Sequence, residues 1–387
     1  MIAAAVGAIL LASVTLYATL GGADFGGGLW DLLAGGDRRG QRPRGLIDES
    51  ITPVWEANHV WLIFALVIFW TAFPDAFAAV ITAAALPIWL AVLGIVLRGA
   101  GFAFRKEVSR LSLQRVLGAT FAFSSVVTPF FMGTVVGGIA AGQIPPGASH
   151  ASLSAWTGPT SLLTGFLFVG ACAYLAAVYL IGEAARRHDR RLQTYFTRRA
   201  QAAGVVTGAL SLAALLELDH SDQALFSLLT GRALALVIVA GLAGLAVLAL
   251  LTAGRPRGIR VLAALGVAAV VWGWGVAQYP ALLPGTTVTL SDAGAPHATL
   301  VALVVLFAAI ALLVGPSFVL LFVLHGRQAL QGGHGEMALA GGTAPPAGRR
   351  KPAGSPGRPA SASRAVALGL IAAGALTRVL TRRGQPR

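Results

Sequence analysis

The sequence predicts an all-α integral membrane protein with nine transmembrane helices, its N-terminus outside and its C-terminal tail cytoplasmic. Three observations carry that expectation. Of 387 residues, 56% are hydrophobic and only 11% charged, so there is too little polar surface to wrap a soluble domain. Nine stretches of about 20 mostly apolar residues recur along the chain, the length that crosses a bilayer core. The basic residues fall in alternate loops, as the positive-inside rule requires of a multi-span protein.

Taken in order, the predicted spans are roughly 2–21, 57–73, 78–97, 116–140, 160–182, 200–217, 233–253, 260–283 and 299–324. The first starts at Ile2 with no basic leader and reads as a retained helix rather than a cleaved signal. Four arginines (Arg38, Arg39, Arg42, Arg44) separate it from the second, which begins behind Thr52-Pro53. Spans three and four are separated by Arg98, Arg105, Lys106, Arg110 and Arg115, and spans five and six by six arginines between Arg186 and Arg199. Arg255, Arg257 and Arg260 lie between seven and eight. The opposite loops hold only Arg232, and the longest of them, Ala141–Pro159 and Gln278–Ala298, are too short for a separate domain. The net charge of +14 is therefore a signal of topology and of contact with anionic lipid, with no nucleic-acid signature.

The chain divides into a nine-span domain (1–325), a Gly/Pro/Ala/Arg-rich segment (326–364) that cannot bury enough apolar surface to order itself, and an apolar then basic segment (365–387). A tenth crossing by that last segment would carry Arg382, Arg383 and Arg387 outside, so an interfacial helix is the preferred reading. Cys172 is the only cysteine, which rules out an internal disulfide; a small buried hydrophobe is its expected role.

Haem ligation inside a membrane calls for several axial His or Met side chains. Here His150, His188, His220, His297 and His334 fall in loops or the tail, His325 ends span nine, and His59 alone lies inside the opening of a span. Redox chemistry therefore has to be shared with a partner that supplies the centres. Proton chemistry suits the residues better. Glu56 stands where a hydrophobic helix begins, and an ionisable group in a membrane helix costs roughly 2.5–3.5 kcal/mol on insertion scales. His59 follows three residues later on the same face. Asp24, at the inner end of span one, is expected at a similar depth to Glu56, and desolvation tunes such carboxyls to take and release protons. The competing readings are a helix cap or snorkelling for Glu56, backbone bonding of Asp24 in a glycine-rich break, and a structural hydrogen bond for His59. Gly22 and Gly26 have the spacing that lets helices approach closely, and Trp55, Trp61 and Trp70 suit interfacial anchoring.

Four stretches resemble one family: Gly22-Ala-Asp-Phe-Gly-Gly-Gly-Leu-Trp30, Ile51-Thr-Pro-Val-Trp-Glu-Ala-Asn-His-Val-Trp-Leu-Ile63, Trp70-Thr-Ala-Phe-Pro74 and Leu97-Arg-Gly-Ala-Gly-Phe-Ala-Phe-Arg105. Together they are similar to subunit II of the cytochrome bd quinol oxidases. The resemblance implies a heterodimer in which subunit I carries two b-type haems and haem d and reduces dioxygen to water at the expense of quinol. It implies that this chain ligates no haem, stabilises subunit I and lines a proton path from the cytoplasm through Glu56 and Asp24, with His59 beside them. Glu56 stands where some members have Asp. Trp55, Asn58, Trp61, Gly22 and Gly26 are then assigned to helix packing or oxygen access. A bound quinone, a small single-span subunit and lipid remain open as further partners, and the implied location is the bacterial cytoplasmic membrane. The rival functional class is a proton-coupled secondary transporter, and a purely structural scaffold is a third.

Overall fold

Residues 1–315 form one compact unit in the computed structural model, which describes residues 1–105, 108, 111–313 and 316. Of residues 37, 38, 51–57, 105, 111, 112 and 115 it describes the backbone alone. The expectations for 326–364 and 365–387 lie outside the described residues.

Among the described residues every regular element is a helix, apart from one isolated β-bridge between Ala281 and Thr289. Its elements are α1 (Ile2–Leu32), α2 (Asp37–Ala72), α3 (Pro74–Ala83), α4 (Ala85–Arg105), α5 (Leu111–Ala140) and α6 (Ser154–Thr157). They continue as α7 (Pro159–Arg186), α8 (Arg190–Ser221), α9 (Gln223–Thr230), α10 (Leu234–Thr252) and α11 (Ile259–Gln278). A further apolar helix, α12, spans His297–Leu313, and the rest of the predicted ninth span lies outside the described residues. Seven helices (α1, α4, α5, α7, α8, α10, α11) are long and apolar enough to cross a membrane, or eight if the bent pair formed by Asn58–Ala72 and α3 counts as one.

Three predicted boundaries need correction. The glycines at 21–28 do not break span one, because α1 continues through them to Leu32. The stretch read as a basic loop is helical from Asp37, so α2 starts twenty residues before position 57 and runs through Pro43 and Pro53. Predicted span three is divided at Ala84. α3 turns away from α2 by 116°, and only α4 crosses. Proline explains the turn: Pro74 has no N–H to continue α2 but suits the first position of a new helix.

α7 sits at the centre, packed against α1, α5 and α8, and more than half of its apolar window is buried. Small residues make this possible. A Cβ on Gly26 would collide with the carbonyl oxygen of Cys172, and one on Gly22 would come within 2.7 Å of Leu175. The close approach lets Trp30 Nε1 donate to the Ala173 carbonyl at 2.8 Å.

The two ends of the bundle are held by different forces. At one end, ion pairs tie the turns together. Arg42 reaches Asp189 at 2.6 Å, Arg44 reaches Asp31 at 2.9 Å, Arg187 reaches Glu49 at 2.7 Å and Arg260 reaches Glu183 at 2.9 Å. Three of the basic segments, after spans one, five and seven, therefore share one end. At the other end, connections fold over α3 through backbone bonds, Ser152 N to Ala83 O at 2.9 Å and Ala295 N to Ala72 O at 2.8 Å, around an apolar cluster including Phe73, Ile144, Leu283 and Leu300.

Gly26→Ala should force α1 and α7 apart, because the atom it meets is backbone, at a cost of about 1–3 kcal/mol. Gly241→Ala on α10, with no neighbour within 4 Å of the added carbon, should leave stability unchanged or slightly raised. Thermal midpoints of the two purified variants check the contrast.

Candidate functional site

α1, α2, α4 and α5 converge on a cluster of polar side chains inside the apolar bundle. Asp24 of α1 and Arg98 of α4 are both fully buried, with Nη2 of Arg98 donating to Asp24 Oδ1 at 2.5 Å and to the Asp24 carbonyl at 2.9 Å. Nη1 of Arg98 donates to Ser125 Oγ, which in turn donates to the Phe121 carbonyl at 2.5 Å. The guanidinium lies between two rings, its carbon 4.9 Å from the centroid of Phe25 and 4.5 Å from that of Phe121. Removing each ion from water costs several kcal/mol, so neither charge is tolerable here without the other. Charge-assisted bonds of this length are roughly twice as strong as neutral ones.

Local sequence explains the fit. Gly28 leaves the space that Ser125 and Arg98 occupy: an added Cβ would strike Ser125 Oγ and come 3.1 Å from Arg98 Nη1. Gly21 does the same for Asn58, whose Oδ1 and Nδ2 would meet a Cβ at 2.7 and 2.9 Å. Asn58 is fully buried beside Asp24, and His59, the next residue of α2, is half-buried and interacts electrostatically with the same carboxylate. Among the described residues, Asp24 Oδ2, Arg98 Nε, both amide atoms of Asn58 and Thr128 Oγ1 have no hydrogen-bond partner. The site thus combines a carboxylate oxygen clamped by Arg98 with a second oxygen that lies beside the Asn58 amide and has no hydrogen-bond partner among the described residues.

Of the residues singled out in the sequence, Asp24, Asn58 and His59 come together here. Gly22 and Gly26 face α7 next door, and Trp61 packs with Tyr17, Phe25, Cys172, Met132 and Phe168. Cys172 is buried in that cluster. The side chains of Trp55 and Glu56 lie outside the described residues; the backbone of Glu56 lies on α2 three residues before His59. Asp24 bonds to a side chain, Arg98, so backbone bonding in a glycine break does not describe it. His220, assigned to a loop, is in the last turn of α8 and exposed. Among the described residues, no three His, Cys, Asp or Glu side chains gather as metal ligands would.

Arg98 was missed as a site residue, because counting it with a cytoplasmic loop used its charge as a topology marker. α4 reaches Arg105, so Arg98 lies two turns inside the helix. The available signal was its position directly after the apolar run Ala85–Leu97 together with an unpartnered acid on another span.

Asp24→Asn and Arg98→Gln should each destabilise the fold by about 3–5 kcal/mol, since each strands one buried charge. The double variant should lose less than the sum of the two, and a thermal double-mutant cycle on the purified protein measures that difference.

A 116-residue stretch is 30% identical to cytochrome bd ubiquinol oxidase subunit 2 of Bacillus subtilis, covering 30% of this chain and 33% of that protein. A 180-residue stretch is 27% identical to cytochrome bd-I ubiquinol oxidase subunit 2 of Escherichia coli K12, covering 44% and 46%. The matched stretches thus span a third to just under half of those relatives' lengths. A solved chain titled as the structure of bd oxidase from Geobacillus thermodenitrificans superposes with a TM-score of 0.68 at 20% identity, covering 84% of this chain and 98% of that one, which establishes a shared fold. The family model described as cytochrome bd terminal oxidase subunit II matches residues 2–325, and the chain belongs to that family.

Proposed function

We propose that the chain is the non-haem-ligating subunit II of a bd-type quinol:oxygen oxidoreductase in the aerobic respiratory chain of a bacterial cytoplasmic membrane. It stabilises a haem-bearing subunit I and contributes a proton path from the cytoplasm for the reduction of dioxygen to water. In this reading subunit I holds two b-type haems and haem d, which supply the oxygen chemistry. A small single-span subunit, lipid and a bound quinone are compatible with the assembly, although no residue here selects the quinone.

The observation that carries the proposal is the buried Asp24 carboxylate, one oxygen held by Arg98 and the other unbonded, with Asn58 and His59 beside it on the helix that carries Glu56. A polar group in a bilayer interior marks a pathway or a partner site. Glu56 takes up protons where α2 becomes apolar, His59 lies one turn deeper, and Asp24 completes the inner step. Arg98 sets the depth of Asp24 and balances its charge. Trp61, next to this tract, contributes to helix packing or to oxygen access.

The gathering of basic turns at one end by Arg42–Asp189, Arg187–Glu49 and Arg260–Glu183 supports nine crossings, with those turns and the tail cytoplasmic and the N-terminus outside. Drawing protons from the cytoplasm while quinol releases its own outside builds a transmembrane potential without a pump. A proton-coupled transporter is disfavoured by family membership, and the polar cluster is closed around an internal ion pair rather than opened toward a substrate.

Glu56→Gln should assemble with unchanged haem content while oxygen consumption falls at least about tenfold, a lower bound on the contribution of a positioned proton donor. Oxygen uptake by the purified complex, normalised to haem absorbance, decides the matter. Undiminished uptake would remove Glu56 from the path.

A further inference from the structure

We infer that the basic depression between the start of α2 and the α7–α8 turn is a binding site for the phosphate of an anionic membrane lipid. Arg42, Arg187, His188, Asp189, Arg190 and Arg191 line it. α7 and α8 are both apolar enough to cross the membrane, and they meet at this turn, so the depression lies on the aqueous side of two spans, toward the headgroup layer. Lipid phosphates lie at that level.

The charges do not cancel. Among the described residues, Asp189 is the one carboxylate lining the depression, and its oxygens are already committed. Oδ1 accepts the N–H groups of Arg191 and Leu192, each at 3.1 Å, and Oδ2 accepts from Arg42 at 2.6 Å. The N–H of Leu192, and with it the Arg42 guanidinium, holds this carboxyl below the usual carboxylate range, so it remains a fixed counter-charge to Arg42 and to the start of α8. Arg187 pairs with Glu49, a largely exposed side chain, and an exposed pair of this kind is weak and screened by salt. Arg190 and Arg191 are exposed and make no ion pair among the described residues. Two guanidinium groups with free forks, supported by Arg187, suit a phosphate oxygen set. Helix N–H groups contribute little, because Asp189 occupies them.

The neighbouring surface selects a lipid over a free anion. α8 leads away from the depression into the membrane with little of its apolar window buried, and Val205, Val206, Leu212 and Leu216 are exposed along it. A phosphodiester at Arg190 and Arg191 places its acyl chains along that face.

The test uses the complex purified from membranes, exchanged into phosphatidylcholine nanodiscs and titrated with phosphatidylglycerol, with bound lipid read by native mass spectrometry. Arg190→Gln with Arg191→Gln should lower retained phosphatidylglycerol at least fivefold. Arg198→Gln with Arg255→Gln, which removes two exposed arginines outside the depression, should lower it less than twofold. Equal losses in the two pairs would show a diffuse field rather than a site, and no loss in the first pair would likewise overturn the assignment. Release of an associated polypeptide with lipid retained would reassign the depression to a protein partner. Displacement of phosphatidylglycerol by millimolar inorganic phosphate would reassign it to a free anion.

Discussion

A charge inside hydrocarbon must be paired or moved out, and in this bundle it is paired. Asp24 and Arg98 belong to helices far apart in the chain, and their union dictates much of what surrounds them. α1 and α4 must approach α5 closely enough for Ser125 to accept the second guanidinium fork, which requires glycine at position 28. Phe25 and Phe121 must present ring faces to the cation, where each adds a desolvated cation–π contact. Asn58 can reach the carboxylate only because Gly21 offers no side chain. What reads in the sequence as a glycine-rich weakness is the space in which a buried ion pair is housed.

That constraint also bears on function. A carboxylate locked on one side by a guanidinium keeps its position in the membrane, while its other oxygen has no hydrogen-bond partner among the described residues. The polar neighbours come from α2, the helix that starts among the basic turns and becomes apolar near Glu56. The bundle is correspondingly asymmetric: one end is charged and stapled by ion pairs, the other closed by backbone bonds over an apolar cluster.

Much of this was legible in the residues. The helical class and most of the spans follow from apolar run length, since a bilayer core demands about 20 such residues wherever the chain crosses. Asp24 and His59 stood out because polar atoms in such runs are costly, whereas their meeting with Asn58 depends on the space that Gly21 leaves. Arg98 was overlooked because a basic residue near a span end looks the same in one dimension whether it faces water or an acid. The helical stretch from Asp37 was hidden for a similar reason: its arginines look like a loop until Arg42 and Arg44 are seen paired with Asp189 and Asp31 at the same end.

The sequence by itself determined which segments prefer lipid, which loops share a sign of charge and which acid was too expensive to be incidental, because each depends on local composition. Only the tertiary structure decided that Arg98 answers Asp24, that Gly22, Gly26 and Gly28 serve α7 and α5, and that α3 turns away at Pro74. Those outcomes depend on which helix faces which, a matter of long-range packing in a medium that gives apolar helices little preference among themselves.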